Sequence, residues 1–185
     1  MVQKADVVVI GGGIMGCAIA YGLKKKGVGR VTVVERRGIG EETSSACDGG
    51  VNLQTKAPGP ALELAKRSVE LYQTLSRELD YDVHFEKYGG MVMVDSPELM
   101  GVVEHSVAEQ TAAGVDVAIL SGDEARRMEP CLSKRITAVT YCPDDGRVSP
   151  IHTTIGYAKA AGRAGVEFLL NTAVTGVTVE DGQVT

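Results

Sequence analysis

Residues 7–27 read VVVIGGGIMGCAIAYGLKKKG, and the way this stretch divides decides the fold. Residues 7–23 carry no charge, and Lys24, Lys25 and Lys26 follow. Seventeen residues is the lower end of the ~17–25 that a membrane helix needs, and a basic flank often follows such a span. A secretory leader places its basic residues before the apolar core, whereas here they come after it and Asp6 abuts the start. The three glycines at 11–13 decide the reading, because each costs a helix interior about 1 kcal/mol relative to alanine. The run therefore divides in two. Val7–Ile10 is a short β-branched strand with two apolar faces, the pattern of a buried parallel strand. Residues 14–26 are expected as a helix, with Ile14, Cys17, Ala18 and Tyr21 at helical spacing, lysines in the last turn and Gly27 as the stop.

Between strand and helix lies Gly11-x-Gly13-x-x-Gly16. In a dinucleotide fingerprint the first glycine permits the turn, the second admits a pyrophosphate, and the third lets helix and strand pack closely. Free N–H groups at the helix start then meet the phosphates. GxGxxG alone is weak evidence, but here a second strand, Val31–Val34, follows and ends in Glu35, nineteen residues beyond Gly16. An acidic side chain there accepts hydrogen bonds from adenosine ribose hydroxyls and repels a 2′-phosphate. A Rossmann-type domain binding FAD or NAD is expected, and NADP is disfavoured.

Composition is ordinary for a globular chain of 185 residues: 44% hydrophobic, 23% charged, with a net charge of −5 and no basic stripe to suggest a nucleic-acid partner. The four cysteines show no CxxC spacing, so a reduced, cytoplasmic protein is the simplest expectation. His84, His105 and His152 have no metal-ligand partner at suitable spacing, and no metal is expected. Asp144-Asp145, before Gly146, reads as a polar turn.

The stretch ERRGIGEETSSACDGGVN, residues 35–52, separates FAD from NAD. With VVVIGGGIMGCAIAYGL, VTVVE, TSSACDGG, DDGRVSP and GVEFLLNTAVTGV, the chain resembles the FAD-dependent amino-acid oxidase (DAO) family, that of glycine oxidase, sarcosine oxidase and D-amino-acid dehydrogenases. The resemblance touches both ends of the chain. It implies FAD contacts from Gly11, Gly13, Ile14, Met15, Gly16, Glu35, Arg36, Thr43, Ser44, Ser45, Gly49, Gly50 and Val174. Residues 43–50 would run as a loop along the pyrophosphate toward the isoalloxazine ring, and Val174 would meet adenine through its backbone. Hydroxyls at 43–45 suit a phosphate, and Gly49 and Gly50 let backbone lie against a flat ring. Some relatives link flavin covalently, but Cys47 does not match the expected attachment site and is read as a free thiol. Cys17, on the apolar helix face, is read as core.

Downstream, a helix is expected over 61–79, strands over 84–86 and 91–94, a helix over 98–113, a strand over 117–120 and a capping box at Ser121-x-x-Glu124. A strand over 137–141, a helix from Ser149-Pro150 to Gly165, a strand over 166–170 beside Val31–Val34 and a β-meander over 173–179 with its turn at Asp181-Gly182 complete the reading. The fold class is α/β: a Rossmann-type FAD domain over 1–82 and 148–185, interrupted by part of a mixed α+β substrate domain over 83–147. Relatives continue for about as long again, so an N-terminal portion is expected, with the substrate ligands beyond it. No residue is singled out as catalytic.

The resemblance implies oxidation of the C–N bond of a small amino acid or secondary amine (glycine, sarcosine, a D-amino acid or a proline-like compound) by hydride transfer to flavin N5. Oxygen, a quinone or a partner subunit would reoxidise the flavin, the last two allowing membrane association through the partner or assembly into a homo- or hetero-oligomer. The alternatives are an alcohol dehydrogenase of the glycerol-3-phosphate or 2-hydroxyacid type, whose relatives tend to carry a histidine that residues 43–53 lack, an NAD-linked dehydrogenase, and a non-catalytic FAD-binding subunit or fragment.

Overall fold

The computed structural model describes residues 4–184. These pack as two units, one of 4–48, 75–84 and 149–184, the other of Gly49–Thr74 and Phe85–Val148. The division differs from the boundaries expected at 82/83 and 147/148: residues 49–74 pack with the second unit, because Gly50 and Val51 pair with Gly146 and Arg147.

In the first unit, β1 (Val7–Ile10), β2 (Val31–Val34) and β8 (Glu167–Leu169) form a parallel sheet with β2 in the middle. Val7 stands opposite Val31 and Thr32 opposite Glu167, so the expected crossover unit is present. Helices α1 (Ile14–Lys25) and α6 (Pro150–Arg163) supply Ala20 and Ala161 to a core closed by Val31, Val33 and Val166. Ser149 caps α6 by accepting the His152 N–H, and Pro150 occupies the first turn, where its missing donor is harmless. The opening stretch is thus strand plus helix, and no helix among the described residues is long and apolar enough to cross a membrane.

Two expectations fail here. Residues 173–178 form no strand; only β9 (Val179–Glu180) and β10 (Gln183–Val184) pair, across Asp181 and Gly182, which both adopt the left-handed conformation (φ 51° and 77°) that tight hairpins favour. Residues 84–86 form no strand either. His84 is left-handed (φ 53°) and gives its N–H to Asp82 Oδ1, leaving one bridge between Glu86 and Arg147 in the second unit.

In the second unit, β4 (Gly90–Val94), β5 (Ala118–Ser121) and β6 (Ala138–Cys142) form an antiparallel sheet with β6 central. A 3₁₀ turn, Pro97–Leu99, precedes α4 (Met100–Ala112), a later helix start than expected. Helix α5 (Gly122–Met128) begins with both arms of the Ser121–Glu124 capping box. Strands β3 (Gly50–Val51) and β7 (Gly146–Arg147) pair antiparallel. Helix α3 (Pro60–Leu79) carries the chain from this unit to the first.

Candidate cofactor site

The site begins where β1 ends. Gly11 turns the chain with φ 106°, while its N–H still reaches the Val34 carbonyl at 2.9 Å, extending the β1–β2 ladder. Gly16 sits so close to this turn that a Cβ would stand 1.9 Å from the Gly11 carbonyl oxygen. Only glycine lets α1 start against β1 at this distance. Gly13 is the N-cap of α1, and a Cβ there would meet only Ser44 Oγ, at 3.0 Å.

Two side chains from beyond β2 close the turn. Glu35 Oε2 accepts the Gly12 N–H and Oε1 accepts the Arg37 N–H, both at 2.7 Å. The Gly12 N–H is the main reason the Glu35 carboxyl titrates below its ordinary value, so the group is a carboxylate. Ser44 Oγ accepts the Ile14 N–H at 3.0 Å. This hydroxyl stands at the positive end of a twelve-residue helix, where an anion is stabilised. Residues 43–50 are not simply a loop, because Thr43–Ala46 make a helical turn, α2, that brings Ser44 to this point.

Residues 36–42 frame the rest. Arg36 grips both carboxylate oxygens of Glu42, and Gly40 donates its N–H to the Gly12 carbonyl at 3.0 Å. The resulting cleft holds about 210 Å³ and is lined by Gly11, Gly13, Glu35, Gly38, Gly40, Glu41, Glu42, Thr43 and Ser44. None of these carries a positive side chain, so an anion here is met by backbone N–H groups, hydroxyls and the α1 dipole.

Of the residues expected at the cofactor, Gly11, Gly13, Glu35, Thr43 and Ser44 line this cleft, while Gly16 packs against the Gly11 backbone without lining it; Ile14 is in the first turn of α1 and Met15, 70% exposed, is beside it. Arg36 is exposed and turned to Glu42, and Ser45 Oγ turns back to the Glu42 carbonyl, so neither lines the cleft. Gly49 and Gly50 belong to the second unit, where the Gly49 carbonyl accepts the Val148 N–H and Gly50 opens β3. Val174 is exposed and follows Asn171 and Thr172, whose N–H groups bond the carbonyls of Arg37 and Glu35. Sequence reading missed Gly12, Gly38, Gly40, Glu41 and Glu42. The alternation Gly38-x-Gly40 before two acids was the available signal.

Cys17 is fully buried beneath the turn with Sγ 3.5 Å from the Gly12 carbonyl; burial, and secondarily the Glu35 charge, push its thiol up to about 11, so it is core as expected. Cys47 is exposed and free. His84 and His152 meet ring to ring at 4.5 Å near the start of α6, and His105 pairs with Glu109.

Known proteins share this chain's sequence and fold. It is 31% identical to glycine oxidase of Bacillus licheniformis over 189 residues, covering 100% of this chain and 50% of that one. It is 26% identical to sarcosine oxidase subunit beta of Rhodobacter capsulatus, covering 98% and 45%. The crystal structure of glycine oxidase from Bacillus cereus superposes with a TM-score of 0.91 at 31% identity, covering 98% of this chain and 50% of that chain. The chain spans between 19% and 52% of the length of the curated relatives it matches. The family description "FAD dependent oxidoreductase" (DAO) matches residues 6–185, and the chain belongs to that family.

Proposed function

We propose that the chain is the FAD-holding part of an enzyme that oxidises the C–N bond of a small amino acid or secondary amine. The observation that carries the cofactor assignment is the closure of the Gly11–Gly16 turn by Glu35 from one side and Ser44 from the other. Each Glu35 oxygen keeps a second lone pair beyond its backbone N–H, available to ribose hydroxyls. The Ile14 and Met15 end of α1, with Ser44 and Thr43, would face the diphosphate. Gly49 and Gly50 would lie against the isoalloxazine ring, and the Val174 backbone against adenine. When bound, FAD supplies the hydride acceptor; this chain's residues bind and orient it. Residues 83–147 would serve the substrate side. The substrate class follows the names of the similar proteins, glycine oxidase and sarcosine oxidase, and the latter's being a subunit supports a partner polypeptide as a route for electrons.

The test is to purify the whole protein and record its visible spectrum. A yellow protein whose flavin passes into solution on acid precipitation is expected, with turnover of glycine, sarcosine or another small amine in the presence of an artificial electron acceptor. A colourless protein that FAD does not reconstitute overturns the cofactor assignment. Flavin retained in the pellet points to a covalent link and reopens Cys47 as its candidate.

A further inference from the structure

Gly12 is held through both of its backbone polar groups. Its N–H goes to Glu35 Oε2 at 2.7 Å. Its carbonyl accepts the Gly40 N–H at 3.0 Å and the Cys17 thiol at 3.5 Å. Cys17 is fully buried, and its thiol, pushed up to about 11 mainly by burial, keeps the proton it donates. The Gly12 carbonyl therefore points toward the core. The peptide bond to Gly13 is trans, and a planar trans peptide sets the next N–H opposite the carbonyl. The Gly13 N–H is thus turned outward, at a residue that lines the cleft.

The other donors of the turn are taken. The N–H groups of Gly11, Gly12 and Ile14 go to the Val34 carbonyl, Glu35 and Ser44. That of Gly13 meets no acceptor among the described residues. A backbone N–H at a helix start calls for a partner, and an anion supplies one.

What fixes the direction of this donor comes from outside the glycine-rich stretch. Gly40 is buried and left-handed, with φ 74°. A Cβ there would stand 3.2 Å from Thr154 Cγ2 and 3.3 Å from Ile151 Cδ1, both near the start of α6. Thr154 cannot swing its methyl aside, since its hydroxyl donates to the Pro150 carbonyl at 2.9 Å. Residue 40 is therefore wedged between α6 and Gly12, and glycine alone combines this conformation with this space.

We propose that Gly40 is a positioning residue of the diphosphate site: seated against α6, its N–H fixes the Gly12 carbonyl and so aims the Gly13 N–H at a phosphate oxygen. This rests on the FAD assignment above. Gly40 acts through Gly12, so a change at 40 should be felt by a ligand that carries a diphosphate and not by one that lacks it.

The experiment uses the whole protein freed of flavin, as wild type, Gly40→Ala, the control Ile151→Val/Thr154→Ser, and the triple variant that combines all three changes. The control substitutions remove the two atoms that the new methyl would meet. Hydrogen exchange of the residue-40 amide is read without ligand, and affinities are measured for ADP and for adenosine. Gly40→Ala is expected to speed the exchange and to weaken ADP, each by roughly tenfold, while adenosine stays within about threefold. The triple variant should recover part of both losses. ADP affinity in Gly40→Ala within threefold of wild type overturns the proposal, whether or not exchange is faster. Equal losses for ADP and adenosine overturn it too, because they show damage to the whole cleft. Should Gly40→Ala fail to fold, the triple variant is judged against its control by the same two criteria, and a triple variant that is also unfolded overturns the proposal in favour of a role in stability. A wild type that binds neither FAD nor ADP sinks the cofactor assignment instead, and residue-40 exchange then still reports whether Gly40 holds Gly12.

Discussion

A methyl group at residue 16 would stand 1.9 Å from the carbonyl oxygen of Gly11, and 3.4 Å from Val9 Cγ1. The first of these contacts is with backbone, which cannot rotate away. Gly16→Ala is therefore expected to lower stability by about 1–3 kcal/mol and to shift the start of α1. Gly22, in the same helix, has nothing within 4 Å of its added Cβ, and Gly22→Ala is expected to raise stability by about 0.5–1 kcal/mol. Urea unfolding of the two variants checks the contrast; equal effects would show that the turn relaxes freely.

Gly13 separates binding from folding. Its added Cβ meets only the movable hydroxyl of Ser44. Gly13→Val is expected to keep the fold by circular dichroism yet to lose FAD, because the side chain occupies the space before the α1 N-terminus. Titration with FAD reads the outcome, and wild-type affinity would place the diphosphate elsewhere.

Glu35→Ala is expected to weaken FAD about tenfold to a hundredfold, the range for losing hydrogen bonds to a charged acceptor. The ribose end is remote from the reacting ring, so kcat at saturating FAD should hold. Measured separately, a collapse in kcat with intact affinity would remove Glu35 from the ribose.

The same carboxylate makes a pH prediction. Its folded-state pKa lies below the ordinary carboxyl value, chiefly through the Gly12 N–H. A depressed pKa means stability that is complete above the unfolded-state value and is lost as pH falls through the folded one. The stability gap between wild type and Glu35→Gln should thus be largest near neutrality and shrink in acid. A gap that is flat with pH would mean that the charge of Glu35 does not hold the turn.

What could be read from the sequence was whatever repeats at a local period. Val7–Ile10, the stripe of α1 and Val31–Val34 announce themselves by β-branching, helical spacing and glycine punctuation, and the Ser121 capping box needs only four residues. What could not be read depends on partners far along the chain. His84 leaves the extended conformation because Asp82 takes its N–H, and Asp145 looks like half of a polar turn until Leu53 and Gln54, more than 90 residues away, are seen to face it. The framing of the cofactor cleft by Gly38, Gly40 and the Arg36–Glu42 pair depends likewise on where Gly12 and α2 stand in space.

Neither unit is a continuous stretch of chain, and that governs the order in which this protein forms during synthesis. The middle strand of the parallel sheet, β2, waits for its second neighbour until residues 167–169 emerge, a separation of 135 residues between Thr32 and Glu167. A ribosome delivering some 5–20 residues per second leaves one side of β2 bare for seconds. Val31 and Val33 are fully buried once folding ends, but the nascent chain must carry them exposed. Long-range parallel pairing is slow and prone to wrong partners. Production of this protein should accordingly respond to chaperone supply and to growth temperature more than its modest size suggests.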